Sequence, residues 1–123
     1  MNDQSDPVLQ TYGISRWGGG YFDVGDNGHL VARPNPDGVI QIDLFDLAGK
    51  IREHGLSWPV LVRFTDILHH RVANLCSAFQ IAAEEVGYDG GYTAIYPIKV
   101  NQQQSVVEGI VSKGSDDVGL EAG

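Results

Sequence analysis

The spacing of apolar residues along the chain changes character near Trp58. Before it, short apolar pieces are broken by turn chemistry. Tyr21-Phe-Asp-Val24 and His29-Leu-Val-Ala-Arg33 flank Gly25-Asp-Asn-Gly28, which predicts a β-hairpin, and Val39-Ile-Gln-Ile42 offers a third short strand. Asp43 stands where a helix cap belongs, ahead of Leu44, Leu47, Ala48 and Ile51 at helical spacing and Gly55 as the stop. After Trp58 strand and helix patterns alternate. Val60-Leu-Val-Arg-Phe64 predicts a strand. Thr65 or Asp66 then caps a long helix carrying Ile67, Leu68, Val72, Leu75, Phe79, Ala82 and Val86, closed by Gly87. Tyr92 to Val100 predicts the next strand. Gln102 to Lys113 predicts a helix with Val106, Val107, Ile110 and Val111 on its apolar side, and Val118-Gly-Leu-Glu-Ala122 a third strand.

Apolar strands alternating with helices indicate an α/β fold built from parallel βαβ units. The strand at Val60–Phe64 and the one ending at Val100 are expected to be parallel neighbours, joined by the helix that holds Cys76 in a right-handed crossover. The expected division is an N-terminal segment with hairpin and helix over 1–57 and a β/α region over 58–123. A closed (β/α)8 barrel takes roughly 250 residues, far more than follow Trp58. The chain therefore reads as an incomplete, N-terminal fragment of a larger protein. The alternative is a self-contained small α/β domain whose missing sheet comes from a partner or from the hairpin.

Composition narrows this picture only modestly. With 123 residues, 42% of them hydrophobic, the chain can build a core of its own. Sixteen acids against eight bases leave a net charge of −8, and with no basic cluster to neutralise phosphates a nucleic-acid partner is not expected. A cationic substrate suits that charge better. The single cysteine, Cys76, excludes an internal disulfide and a site of several thiolates, and its helical spacing with Val72, Phe79 and Ala83 makes it a core thiol. Met-Asn-Asp-Gln-Ser-Asp-Pro at the start has no apolar stretch for a signal peptide, and no run approaches a membrane span, so a cytoplasmic chain is expected.

Lys99 carries the most specific chemistry. It closes the apolar, aromatic and β-branched run Tyr92-Thr-Ala-Ile-Tyr-Pro-Ile-Lys-Val100, where an ammonium group must be paired, reach solvent or do chemistry. Burial there would push its pKa down and supply the neutral amine that forms Schiff bases with carbonyls. An ordinary lysine reaching solvent at a strand end is the plain alternative. In an α/β barrel, catalytic groups lie at the carboxyl ends of the strands, which is where Lys99 falls. Pro97 cannot donate a ladder hydrogen bond and predicts a local irregularity beside it.

The words around Lys99, Tyr96-Pro-Ile-Lys-Val-Asn-Gln102, closely resemble the lysine motif of the biosynthetic arginine decarboxylases, pyridoxal-phosphate enzymes of the alanine-racemase-like barrel group. Tyr12-Gly-Ile, Trp17-Gly-Gly-Gly-Tyr-Phe-Asp23, Gly28-His-Leu-Val-Ala-Arg33, Leu61-Val-Arg-Phe-Thr-Asp-Ile-Leu68 and Gly119-Leu-Glu-Ala-Gly123 resemble segments of that family in the same order. The resemblance implies that residues 58–123 begin a (β/α)8 (TIM) barrel and that Lys99 anchors pyridoxal 5'-phosphate and exchanges it with the substrate amine. It implies decarboxylation of L-arginine to agmatine for polyamine and spermidine biosynthesis. It also implies dependence on Mg2+, for which no site is visible in this sequence, and a homo-oligomer whose active site is completed by later barrel strands, a C-terminal β domain and a neighbouring subunit. Another basic-amino-acid decarboxylase is the nearest variant, and a non-catalytic α/β interaction module the alternative of a different class.

Glu121 is the second candidate. It ends the third predicted strand and shares a rim with Lys99 if the strands are in register. The family group places an acid here, where its charge would favour a protonated nitrogen; a solvated carboxylate is the plain reading. The remaining polar residues carry less. Gly18-Gly-Gly20 lacks the helix and lysine of a phosphate loop and reads as a structural turn, leaving Trp17–Gly20 without an assigned role. His69 and His70 are adjacent on a helix, diverge by about 100°, and read as solvated or capping groups. His29 and His54 read as isolated, and Arg63, inside a predicted strand, is expected to need a partner such as Asp66. No Ser-His-Asp elbow, His-Glu-x-x-His or nucleotide fingerprint is present.

Overall fold

The computed structural model describes residues 7–114 and 117–123, so the acidic start at Met1–Asp6 lies outside the described residues. The chain divides into two compact units, Met1–Arg63 and Phe64–Gly123. No described helix is long and apolar enough to cross a membrane.

The first unit opens with two short helices, α1 (Pro7–Tyr12) and α2 (Ile14–Trp17). Trp17 closes this corner: its indole N–H donates to the Tyr12 carbonyl at 3.0 Å and its ring lies 5.4 Å from that of Phe22. The glycine run is the structural turn expected. Gly19 and Gly20 have φ of 57° and 82°, a region side chains avoid. The hairpin follows as β1 (Phe22–Val24) and β2 (Leu30–Ala32), antiparallel, with Asp23 opposite Val31, and an Asp23–Arg33 ion pair of 2.9 Å at its edge. The third strand, β3 (Ile42–Asp43), is later and shorter than the sequence suggested. Val39 is fully exposed and Ile40 largely so, because β3 pairs with β2 only through Ala32↔Ile42 and Val31↔Asp43. Helix α3 (Leu44–Glu53) then begins on the Asp43 cap. Leu9, Ile14, Tyr21, Val31 and Ala32 form the buried centre of this unit.

The second unit contains the long helix α4 (Thr65–Val86), strand β4 (Ala94–Pro97), a single 3-10 turn (Ile98–Val100), helix α5 (Gln104–Gly114) and strand β5 (Val118–Glu121). β4 and β5 are parallel, with Ala94, Ile95, Tyr96 and Pro97 opposite Val118, Gly119, Leu120 and Glu121. Ala94, Val106, Ile110 and Val118 are its buried core, against which Leu68, Val72, Cys76, Tyr92 and Tyr96 pack. Cys76 is thus a packing thiol. Phe79 and Tyr92 stack nearly flat at 4.0 Å. Helix α5 lies close against α4 at Gly109, where a side chain would meet Leu68, Thr65 and His69.

Two expectations fail here. Val60–Phe64 joins neither sheet and lies where the chain passes from one unit to the other, so the predicted parallel pairing with the Lys99 strand is absent. An apolar β-branched run is a strand only when a ladder partner takes its backbone groups. Likewise, neither Thr65 nor Asp66 caps α4: its N-cap is Phe64, with no side-chain cap bond.

Candidate functional site

Lys99 lies outside β4. The ladder stops at Pro97, which has no N–H to give, and the next three residues turn as a 3-10 helix with Lys99 in the middle, exposed to solvent. The expected strand reaching Val100 is corrected accordingly: Lys99 reaches solvent just past the strand end, and the irregularity anticipated from Pro97 is this turn. Because β4 and β5 are parallel, their carboxyl ends share one edge. Glu121, opposite Pro97 in register, is the last residue of β5 at that edge, and Lys99 stands two residues past Pro97. The Glu121 carboxylate is half-buried and accepts from the Gly123 backbone N–H through Oε1 at 2.7 Å.

The turn has its own supports. The half-buried Tyr96 hydroxyl donates to the Asn101 carbonyl at 3.2 Å, and Asn101 Oδ1 accepts from the Gln103 N–H at 3.0 Å, leading into α5. Neither contact was visible in the sequence, which marked Tyr96 and Asn101 only as parts of a motif.

Other titratable residues are differently placed than expected. His29 is not isolated: Nδ1 donates to Asp43 Oδ2 at 2.7 Å and its ring lies 4.7 Å from that of Phe45. Asp43 caps α3 as predicted, accepting through Oδ1 from Phe45 and Asp46 N–H, while Oδ2 also takes Asn27 Nδ2 at 3.0 Å. The Asn27 bond, with those from His29 and the helix start, lowers the Asp43 pKa from the usual 3.8 to about 2 despite an opposing desolvation cost. His54 is also engaged, donating through Nδ1 to the Lys50 carbonyl at 2.8 Å at the end of α3. His69 is not solvated at Nε2, which is enclosed without a hydrogen-bond partner among the described residues. His70 Nδ1 lies 3.4 Å from Asn74 Nδ2. Arg63 is exposed and in no strand.

Donor atoms of His29, Asp43 and Asp46 fall within 4.8 Å of one another. They do not fit magnesium, which demands near-octahedral oxygen ligation, because both Asp43 oxygens are committed to the helix cap and to His29 and Asn27. A shallow pocket of about 370 Å³ beside Asp26, Gln41 and Asp43 belongs to the same corner. A larger groove of about 470 Å³ in the second unit is mainly apolar, lined by Cys76, Phe79, Val86, Tyr88 and Tyr92.

The second unit therefore presents a mixed α/β arrangement with an amine and a carboxylate at the carboxyl edge of a parallel strand pair. No family model matches the chain. Curated relatives from Alkalilimnicola ehrlichii and Chromobacterium violaceum, each named biosynthetic arginine decarboxylase, are 55% and 54% identical over 115 and 112 residues, or 93% and 91% of this chain. The crystal structure of the biosynthetic arginine decarboxylase from Campylobacter jejuni matches 90% of this chain with a TM-score of 0.80 and 33% identity. The chain is a relative of the biosynthetic arginine decarboxylases in sequence and in fold, and it spans 18% of the length of each of these three proteins.

Proposed function

We propose that this chain is the segment of a pyridoxal-phosphate-dependent arginine decarboxylase that carries the cofactor lysine, within the first β/α units of a (β/α)8 barrel. The reaction converts L-arginine to agmatine and carbon dioxide in polyamine biosynthesis. The observation that carries this reading is the position of Lys99, exposed and just beyond the carboxyl end of a strand whose parallel neighbour ends in Glu121. The substrate is suggested by the relatives, which are named arginine decarboxylases.

Pyridoxal phosphate, when bound, supplies an aldehyde that condenses with amines and a ring that takes up the electron pair left when carbon dioxide departs. The residues present fit its aldehyde end. Lys99 offers a primary amine that both a cofactor and an incoming amino acid can reach, which anchoring and exchange require. Glu121 offers a fixed negative charge on the same edge, suited to stabilising positive charge on a nitrogen held there. The net charge of −8 favours approach of a cationic amino acid. Groups for the phosphate, the pyridine nitrogen and the guanidinium are assigned to the remaining length that the relatives possess and to a neighbouring subunit of a homo-oligomer.

The test is Lys99→Ala in the complete enzyme. Both the visible absorption of the bound cofactor and the release of carbon dioxide from arginine should be lost, because the amine that anchors the cofactor and exchanges with the substrate is removed. A variant that keeps wild-type turnover would refute the assignment.

A further inference from the structure

The 3-10 turn that carries Lys99 is one turn long, and such turns hold poorly by themselves because each is closed by few, badly aligned hydrogen bonds. Here it is bracketed. Tyr96, three residues before Lys99, has its ring against the Ala94, Val106, Ile110 and Val118 core, while its hydroxyl reaches over the turn to the carbonyl of Asn101, two residues after Lys99, at 3.2 Å. The backbone on the near side is stiffened by Pro97, with φ of −76°, and on the far side Asn101 Oδ1 accepts from Gln103 N–H at 3.0 Å. The phenol thus ties an exposed turn to a buried core.

We infer that Tyr96 is a positioning residue for Lys99, its hydroxyl clamping the Ile98–Val100 turn so that the amine is held at one place on the strand edge. This rests on the reading of Lys99 as the cofactor lysine. It predicts that losing the hydroxyl, with the ring kept, loosens the turn without weakening the core. A hydrogen bond of ordinary strength corresponds to roughly a fivefold change in the population of the ordered turn.

Tyr96→Phe tests it with two readouts. In the 123-residue chain, backbone 15N order parameters at Ile98, Lys99 and Val100 should fall from about 0.85 toward 0.6 while those inside α5 stay unchanged. In the complete enzyme, the rate at which pyridoxal phosphate plus borohydride leaves a pyridoxyl label on Lys99 should fall roughly fivefold. Unchanged order parameters overturn the inference. So does a looser turn with an unchanged labelling rate, since the clamp would then do nothing for the amine. If wild-type label falls on lysines other than Lys99, the cofactor reading fails and takes the inference with it. The order parameters distinguish that failure from a missing clamp. Should Tyr96→Phe not fold, exchange of the wild-type Tyr96 hydroxyl proton with water is followed by NMR: exchange slower than that of an exposed tyrosine, as the bond to the Asn101 carbonyl requires, supports the clamp, and exchange as fast as that of an exposed tyrosine overturns the inference.

Discussion

Gly109 sits where α5 approaches α4, and the two helices are close enough there for the size of one side chain to decide stability. A Cβ built at this position stands 3.4 Å from Leu68 Cδ2, 3.6 Å from Thr65 Cγ2 and 3.8 Å from His69 Nε2, all ordinary contact distances. Alanine therefore fits without displacement. It also removes the entropic penalty of glycine inside a helix, about 1 kcal/mol. His69 Nε2 has no hydrogen-bond partner among the described residues, so a methyl group beside it breaks no bond. Gly109→Ala should stabilise the chain by roughly 0.5–1 kcal/mol, raising Tm by about 2–6 °C. Leucine adds three further carbons toward Leu68 and Thr65. Overpacking costs roughly 1–3 kcal/mol, which outweighs the same propensity gain, so Gly109→Leu should be less stable than the parent. Urea unfolding followed by far-UV circular dichroism, with thermal melts, measures both. A less stable Gly109→Ala, or a Gly109→Leu more stable than it, would show that the approach of these helices is not what the geometry describes.

Ile110, 4% exposed at the centre of the second unit's core, should lose roughly 2–4 kcal/mol on truncation to Ala, read by the same unfolding curves. Asp43 predicts the acid response of the first unit: its folded pKa of about 2 lies below the usual 3.8, so the unfolded chain binds the proton more readily and stability rises with pH across that window. That contribution is complete above the unfolded value and is lost as pH falls from about 3.8 through about 2; Asp43→Asn should flatten the dependence, and a carboxyl titrating at its usual value by NMR would contradict it. The 123-residue chain alone should bind pyridoxal phosphate weakly and release no carbon dioxide from arginine, since an amine without a phosphate cradle and a pyridine partner holds the aldehyde little better than a surface lysine. Turnover by this chain would show that those groups lie within it.

The parts of the fold legible in the sequence are those decided locally. Asp43 followed by helical spacing can hardly do anything but cap α3, and Gly25-Asp-Asn-Gly28 between two apolar pieces makes the hairpin. Val60–Phe64 has as good a strand composition as Ala94–Pro97, yet only the second finds a parallel neighbour. Composition reports a residue's suitability for a ladder and cannot report whether a partner is there. The short helices α1 and α2 were missed although Pro7 at a first helical position and Gly13 between them were available signals.

The candidate site was legible in its chemistry and less so in its geometry. Tyr92 to Val100 is apolar almost throughout, so periodicity could not mark where β4 ends; Pro97 marked it, by lacking the N–H that a ladder needs. The consequence matters for how the lysine can act. Continued as strand, the segment would alternate its side chains and commit Lys99 to one face of the sheet. Turned as a 3-10 helix, it releases Lys99 from that alternation and makes its place depend on whatever holds the turn, which here is Tyr96 and Asn101. The pairing of His29 with Asp43 was hidden for a related reason: it depends on Val31 lying opposite Asp43, a register that only the third strand sets. In the first unit the sequence named the polar groups, and the backbone register decided which of them meet.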